Sequence, residues 1–83
     1  MEHVSRDEKQ LGAVIRRCRK RSGHTQAELA AIIGKRQATI SDLESGVRGM
    51  SLDTVFSILN GLGLEMVVRP RSKGDVNSFG DMF

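Results

Sequence analysis

Apolar residues recur along this chain at helical spacing, and capping residues mark where each repeat begins. Leu11, Val14, Ile15 and Cys18 fall at i, i+3, i+4 and i+7, one stripe of an amphipathic helix. Ser5 with Glu8 has the form of a capping box, so a first helix is predicted from there to about Ser22, with Gly23 stopping it. Thr25 with Glu28 forms a second capping box, and His24 and Leu29 are placed for a hydrophobic staple. The second helix is predicted over Gln26 to Ile33, ending at Gly34. A third follows from Gln37 to Ser45, with Ile40 and Leu43 facing inward and Gly46 ending it. After a loop over residues 46–50, Ser51 caps a fourth helix whose first turn holds Asp53, where negative charge suits the helix dipole. Met50 and Val55 are placed as its staple. Leu52, Val55, Phe56, Leu59 and Leu62 are its predicted buried face, and Gly61 and Gly63 close it.

The period changes at Leu64. LEMVVR, residues 64–69, reads as a β-strand, with partial alternation, adjacent valines and Pro70 at its end. One strand cannot stand alone in water, and nothing else in the chain reads as its partner. The same strand of a second copy would pair with it across a two-fold axis. Leu64, Glu65, Met66, Val67, Val68 and Arg69 are therefore the expected dimer strand. The tail, residues 71–83, has no period and is expected to be disordered, with Phe79, Met82 and Phe83 as a possible docking motif. The expected architecture is all-α: a four-helix unit over residues 5–63, a strand over 64–70 pairing across a dimer, and the tail.

Length and charge narrow the function. Eighty-three residues make one small domain with little apolar surface to bury. Cys18 is the sole cysteine, so disulfides cannot help, and a reduced, cytoplasmic setting is expected. MEHVSRDEKQ lacks the apolar run of a secretory signal, and no segment is long and apolar enough to span a membrane. Net charge is +3, with Arg16, Arg17, Arg19, Lys20 and Arg21 clustered, which favours an anionic partner. With neither tryptophan nor tyrosine, the composition argues against base stacking on single strands. No paired-carboxylate cleft, nucleophile–base set or phosphate loop stands out, so an enzyme is not expected. With no second histidine near His24 and no cysteine pair, neither a metal nor a cofactor is expected.

The segment Thr25 to Gly46, TQAELAAIIGKRQATISDLESG, carries the functional signal. Two short helices flank a glycine turn, and the second opens with short side chains and an amide, which a duplex major groove can accept. The wider pattern from Leu11 resembles the lambda-repressor-like helix-turn-helix family over about residues 10–64. Its core is Thr25-Gln26-x-Glu28-Leu29-Ala30, then Gly34, Ile40-Ser41 and Glu44-x-Gly46. In that family a fifth helix usually follows the fourth; here a short strand takes its place. That departure, and the run Arg36 to Ser41, look like HipB-type antitoxins.

The resemblance implies that the third helix lies in the major groove. Arg36, Gln37, Ala38, Thr39 and Ser41 are then the expected base contacts. Gln37 suits an adenine edge, Arg36 a guanine or a phosphate, and Ala38 and the Thr39 methyl a thymine methyl. Asp42 is expected to point outward. Thr25, Gln26, Lys35, Ser45 and Arg48 are the expected phosphate contacts. Arg19 and Glu44 match family positions that form an ion pair joining the first and third helices. Arg16, Arg17, Lys20 and Arg21 are expected to be more exposed, some within reach of phosphate. The implied partners are palindromic operator DNA, a second copy and a HipA-type kinase toxin. The implied function is repression of the chain's own operon. A regulator without a toxin, and an interaction module that has lost DNA binding, are the competing readings; the intact Gln26 and Gln37 argue against the last.

Overall fold

The first helix starts later than its Ser-x-x-Glu signal suggests, because an acidic residue takes over the cap. In this computed structural model, which describes residues 2–71, α1 spans Glu8–Arg21 with Asp7 as its N-cap. The Asp7 carboxylate accepts from the Gln10 backbone N–H at 2.8 Å, and the Gln10 side chain accepts from the Arg6 N–H at 2.7 Å. These two contacts replace the expected Ser5–Glu8 box; an ionised carboxylate is also favoured at the positive end of the helix dipole. Helix α2 spans Gln26–Ile33, with the Thr25–Glu28 capping box formed in both directions. Helices α3 (Gln37–Glu44) and α4 (Leu52–Gly61) complete the bundle, the latter capped by the Ser51 hydroxyl.

Ile15, Leu29, Ala30, Ile40, Leu43, Val55, Ile58 and Leu59 form the core, with Leu11, Ile33, Met50, Leu62 and Leu64 packed around it. Two stripes are rotated from their predicted positions. On α1 the buried line is Gly12, Ile15 and Arg19, while Val14 and Cys18 are only half-buried, so Cys18 lies beside the core rather than in it. On α4 the buried residues are Val55, Ile58 and Leu59, whereas Leu52 and Phe56 are exposed. Four helices surround too little volume to cover five apolar positions of α4, so the outer two face away from the core.

Glycines set how closely the helices approach. A Cβ at Gly12 would lie 2.4 Å from the Leu43 carbonyl oxygen and 2.7 Å from that of Glu44. The α1 backbone therefore sits directly on the last turn of α3. Gly46, at φ +82°, turns the chain out of α3 in the left-handed region, and a Cβ there would lie 2.9 Å from Lys9 Cα. Both contacts hold the C-terminal end of α3 against α1, leaving its N-terminal end exposed.

Residues 64–70 form no β-ladder within the chain; among the described residues all regular structure is helical. Leu64 packs on the core, while Met66, Val67 and Val68 are exposed. An isolated strand has no ladder to join, so the exposed valines are left without cover. Arg69 reaches Glu2 at 3.1 Å in an exposed ion pair, a contact of small energetic worth. The candidate docking residues Phe79, Met82 and Phe83 lie outside the described residues.

The Gly12 contact gives the first prediction. Gly12→Ala should force α1 away from α3 and destabilise the fold by about 1–3 kcal/mol, the usual cost of overpacking. Equilibrium urea unfolding measures it, with Ala13→Gly on the exposed side as a comparison; a Gly12→Ala midpoint at or above wild type would contradict the close contact.

Candidate nucleic-acid interface

The turn between α2 and α3 fixes what the second helix presents. Gly34 ends α2 with φ +70°, and the Lys35 N–H donates to the Ala30 carbonyl at 2.9 Å. Arg36 is the N-cap of α3 in extended conformation, and its side chain makes no capping hydrogen bond. The first N–H groups of α3 are thus free of a side-chain acceptor and can meet an external one. Arg36, Gln37, Ala38 and Ser41 are exposed and Thr39 is half-buried. The expected base-reading residues stand together on the start of α3 and its first turns.

Behind them runs a polar network that begins in the core. Arg19 donates through Nε to Glu44 Oε2 at 2.6 Å and through Nη2 to Glu44 Oε1 at 3.1 Å. Its third contact, Nη1 to the His24 carbonyl at 2.8 Å, ties the pair to the residue before the α2 cap. The side chains of Arg19 and Glu44 are 9% and 4% exposed, so this expected ion pair is shielded from water. Burial opposes ionisation of Glu44, but hydrogen bonds from Arg19 and Gln26, with the charges of Arg19 and Arg16, outweigh it and lower its pKa. The hydrogen bond to Glu44 likewise raises the pKa of Arg19 against the opposing effect of burial.

Gln26 carries the network outward. Its Nε2 donates to Glu44 Oε1 at 3.1 Å, and its Oε1 accepts from Gln37 Nε2 at 3.5 Å. The carboxylate can only accept, so it dictates which end of the Gln26 amide faces it. The Gln26 oxygen must then face Gln37, whose amide is oriented in turn. One N–H and the oxygen of Gln37 remain free at the exposed surface. Sequence reasoning placed Gln26 on a phosphate and missed this link. The available signal was positional: Gln26 and Gln37 are the first residues of consecutive helices.

The other expected phosphate residues differ in readiness. Thr25 is exposed, and its hydroxyl oxygen accepts from the Glu28 N–H at 3.0 Å. Glu28 is held below the ordinary carboxylate range by the Thr25 backbone N–H, with help from the Thr25 hydroxyl, so the cap stays charged. Ser45 donates its hydroxyl to the Asp42 carbonyl at 3.0 Å and must turn to serve a phosphate. Lys35 lies 4.0 Å from Asp53, a weak tether between the turn and α4. Arg48 and Asp42 are exposed. A shallow concavity lined by Arg16, Arg19, Gln26, Ser41, Glu44 and Ser45 joins these groups, so Arg16 belongs to this face although sequence reasoning gave it no definite role. Among the described residues no His, Cys, Asp and Glu cluster could hold a metal ion. No helix there is long and apolar enough to cross a membrane.

The helix-turn-helix family pattern HTH_3 matches residues 15–68. The chain belongs to the helix-turn-helix family. It is also similar to the antitoxin HipB of Escherichia coli O6:H1 (strain CFT073), with 44% identity over 59 residues. That match covers 71% of this chain and spans 63% of the relative's length. Among solved structures, a HipB–O4 20mer complex superposes with a TM-score of 0.79 at 35% identity, covering 86% of this chain and 100% of that one. A HipA–HipB–O2–O3 complex gives a TM-score of 0.78 at 35% identity over the same shares. The expected fold family, and the likeness to HipB, are thereby established for this helix-turn-helix chain.

The buried pair yields a prediction with a defined sign. Glu44 has a lower pKa folded than unfolded, so its contribution is complete above the ordinary Glu value of about 4.3 and is lost as pH falls through the folded value. Arg19→Ala should cost about 3–5 kcal/mol at neutral pH, because it strands a buried carboxylate. Chemical unfolding followed across the acid range should show wild type losing stability faster than Glu44→Gln. Parallel curves for the two proteins would remove Glu44 from that role.

Proposed function

We propose that this chain is a two-fold, sequence-specific DNA-binding repressor of the HipB antitoxin type, which represses its own operon and binds a HipA-type kinase. The observation that carries it is the Arg19–Glu44–Gln26–Gln37 network, which delivers an oriented amide to the exposed start of α3. The structural likeness to chains solved as HipB–O4 and HipA–HipB–O2–O3 complexes supports the choice of partners.

Helix α3 enters the major groove. Gln37 offers its oxygen to an adenine N6 amine and its free N–H to N7, the bidentate pattern that distinguishes adenine from the other bases. Arg36 takes a guanine edge or a phosphate, Ala38 and Thr39 supply methyl contacts, and Ser41 hydrogen-bonds one turn further on. Thr25, Lys35, Ser45 and Arg48 hold the flanking phosphates through their side chains, and Gln26 through its backbone N–H, which together fix the docking angle. The N–H groups at the start of α2 add to the phosphate hold, since Gln26 keeps its side chain on Glu44. Two protomers pair through Leu64, Glu65, Met66, Val67, Val68 and Arg69, which satisfies the ladder groups of each strand and covers Val67 and Val68. Such a dimer reads a palindromic operator. The chain works in the cytoplasm as a binder without catalysis or cofactor. The kinase takes faces of the dimer turned from the DNA, so both partners bind together.

Binding to DNA separates the assigned roles. Gln37→Ala should cost about 1–3 kcal/mol on a duplex selected by the wild-type chain and relax one base position. Arg48→Ala should weaken selected and scrambled duplexes alike and lower the salt slope by about 0.9 per phosphate contact. Equal losses for Gln37→Ala on both duplexes would contradict base reading. For the dimer, Val67→Pro removes a ladder donor and should raise the dissociation constant measured by sedimentation; a wild-type chain that sediments as a monomer at micromolar concentration would rule out the strand pairing. Co-purification with the product of a neighbouring kinase-like gene tests the antitoxin role, and failure to associate would leave a regulator without a toxin.

A further inference from the structure

Beside the polar network stands a second set of charges. Lys9, Arg16, Arg17 and Lys20 line one wall of a groove whose other wall is Glu44 and Ser45 at the end of α3. Ala13 lies between them on α1, and its short side chain keeps the groove open. Lys9, Arg16 and Lys20 fall within about 40° of one another around the helix and spread over about 16 Å of its axis. The one acid in the groove is Glu44, and its two oxygens already accept from Arg19 and Gln26. Among the described residues none of the four cations has an ion-pair partner. A row of like charges in one groove, with the nearby acid already neutralised, suits an extended polyanion better than a single anion.

We propose that this groove is a second phosphate-binding surface, which seats a stretch of sugar–phosphate backbone beside the major groove occupied by α3. The inference rests on the DNA-binding reading above. It selects a duplex over an acidic peptide because the groove is continuous with the reading face: Arg16, Glu44 and Ser45 also line the concavity that holds Gln26 and Ser41. The close packing of α1 on α3 at Gly12 fixes the groove relative to the recognition helix. A backbone held in both places would set the depth of α3 in the groove and extend the footprint beyond the bases read.

The test uses the full chain with two short duplexes, one selected by the wild-type chain from a random library and one scrambled. Arg17 and Lys20 are exposed, so Arg17→Gln/Lys20→Gln should melt as wild type does. Loss of two phosphate contacts should lower the salt slope by about 1.8 per protomer on both duplexes and leave base preference unchanged. Ethylation interference should show matching phosphates, outside those assigned to Arg48, that matter for wild type and not for the variant. An unchanged slope and interference pattern would overturn the proposal while base reading by α3 stood. A lower slope with an unchanged pattern would also overturn it, since removed charge would then act only at a distance. A wild-type chain that binds neither duplex would overturn the DNA-binding reading and this one together.

Discussion

Everything exposed at the start of α3 depends on a charge pair that water does not reach. Arg19 fills a position on α1 that helical periodicity would give to an apolar residue. Its guanidinium takes both oxygens of Glu44 and the His24 carbonyl, so three elements meet at one planar group. Two buried ions are costly unless their hydrogen bonds are satisfied, and a well-packed apolar pair could match or exceed the stability they give. An apolar pair, however, could not orient an amide. The unsaturated acceptor capacity of Glu44 fixes Gln26, and Gln26 fixes Gln37. Specificity of side-chain direction is what this pair adds to the fold.

The surrounding fold makes that direction reproducible. Gly12 and Gly46 let α1 touch the far end of α3 with backbone on backbone, and the left-handed turn at Gly34 sets where α3 begins. The end of α3 is thereby clamped, while its start projects with uncapped N–H groups. A chain this small has few apolar contacts to spend on rigidity. Close backbone packing and one shielded ion pair supply rigidity where the recognition helix needs it, and α4 can leave Leu52 and Phe56 uncovered.

Much of this was legible in the sequence because the signals were local. The Thr25–Glu28 capping box and Gly34 fix α2 in place, since cap chemistry depends only on neighbours. The Arg19–Glu44 pair, 25 residues apart, followed from resemblance to a family and not from spacing. What escaped was set by tertiary geometry. Asp7 displaced Ser5 as the α1 cap because its carboxylate accepts from the Gln10 N–H at the positive end of the helix dipole, while the Gln10 side chain takes the Arg6 N–H. Ile58 was missed, and Leu52 and Phe56 wrongly buried, because α4 is apolar on more of its circumference than three neighbours can cover. Gly12 read as an ordinary helix residue, since nothing in the sequence reveals which helix crosses it. The link from Gln26 to Glu44 and Gln37 was missed because both partners lie on another helix.

Glu44 orients Gln37 through Gln26. A double-mutant cycle on a selected duplex tests it most directly, comparing wild type, Gln26→Ala, Gln37→Ala and the double variant at one salt concentration. If Gln26 acts by aiming Gln37, its removal should cost much less once Gln37 is gone, giving a coupling energy above about 0.5 kcal/mol. Strictly additive losses would contradict the account and make the two glutamines independent contacts.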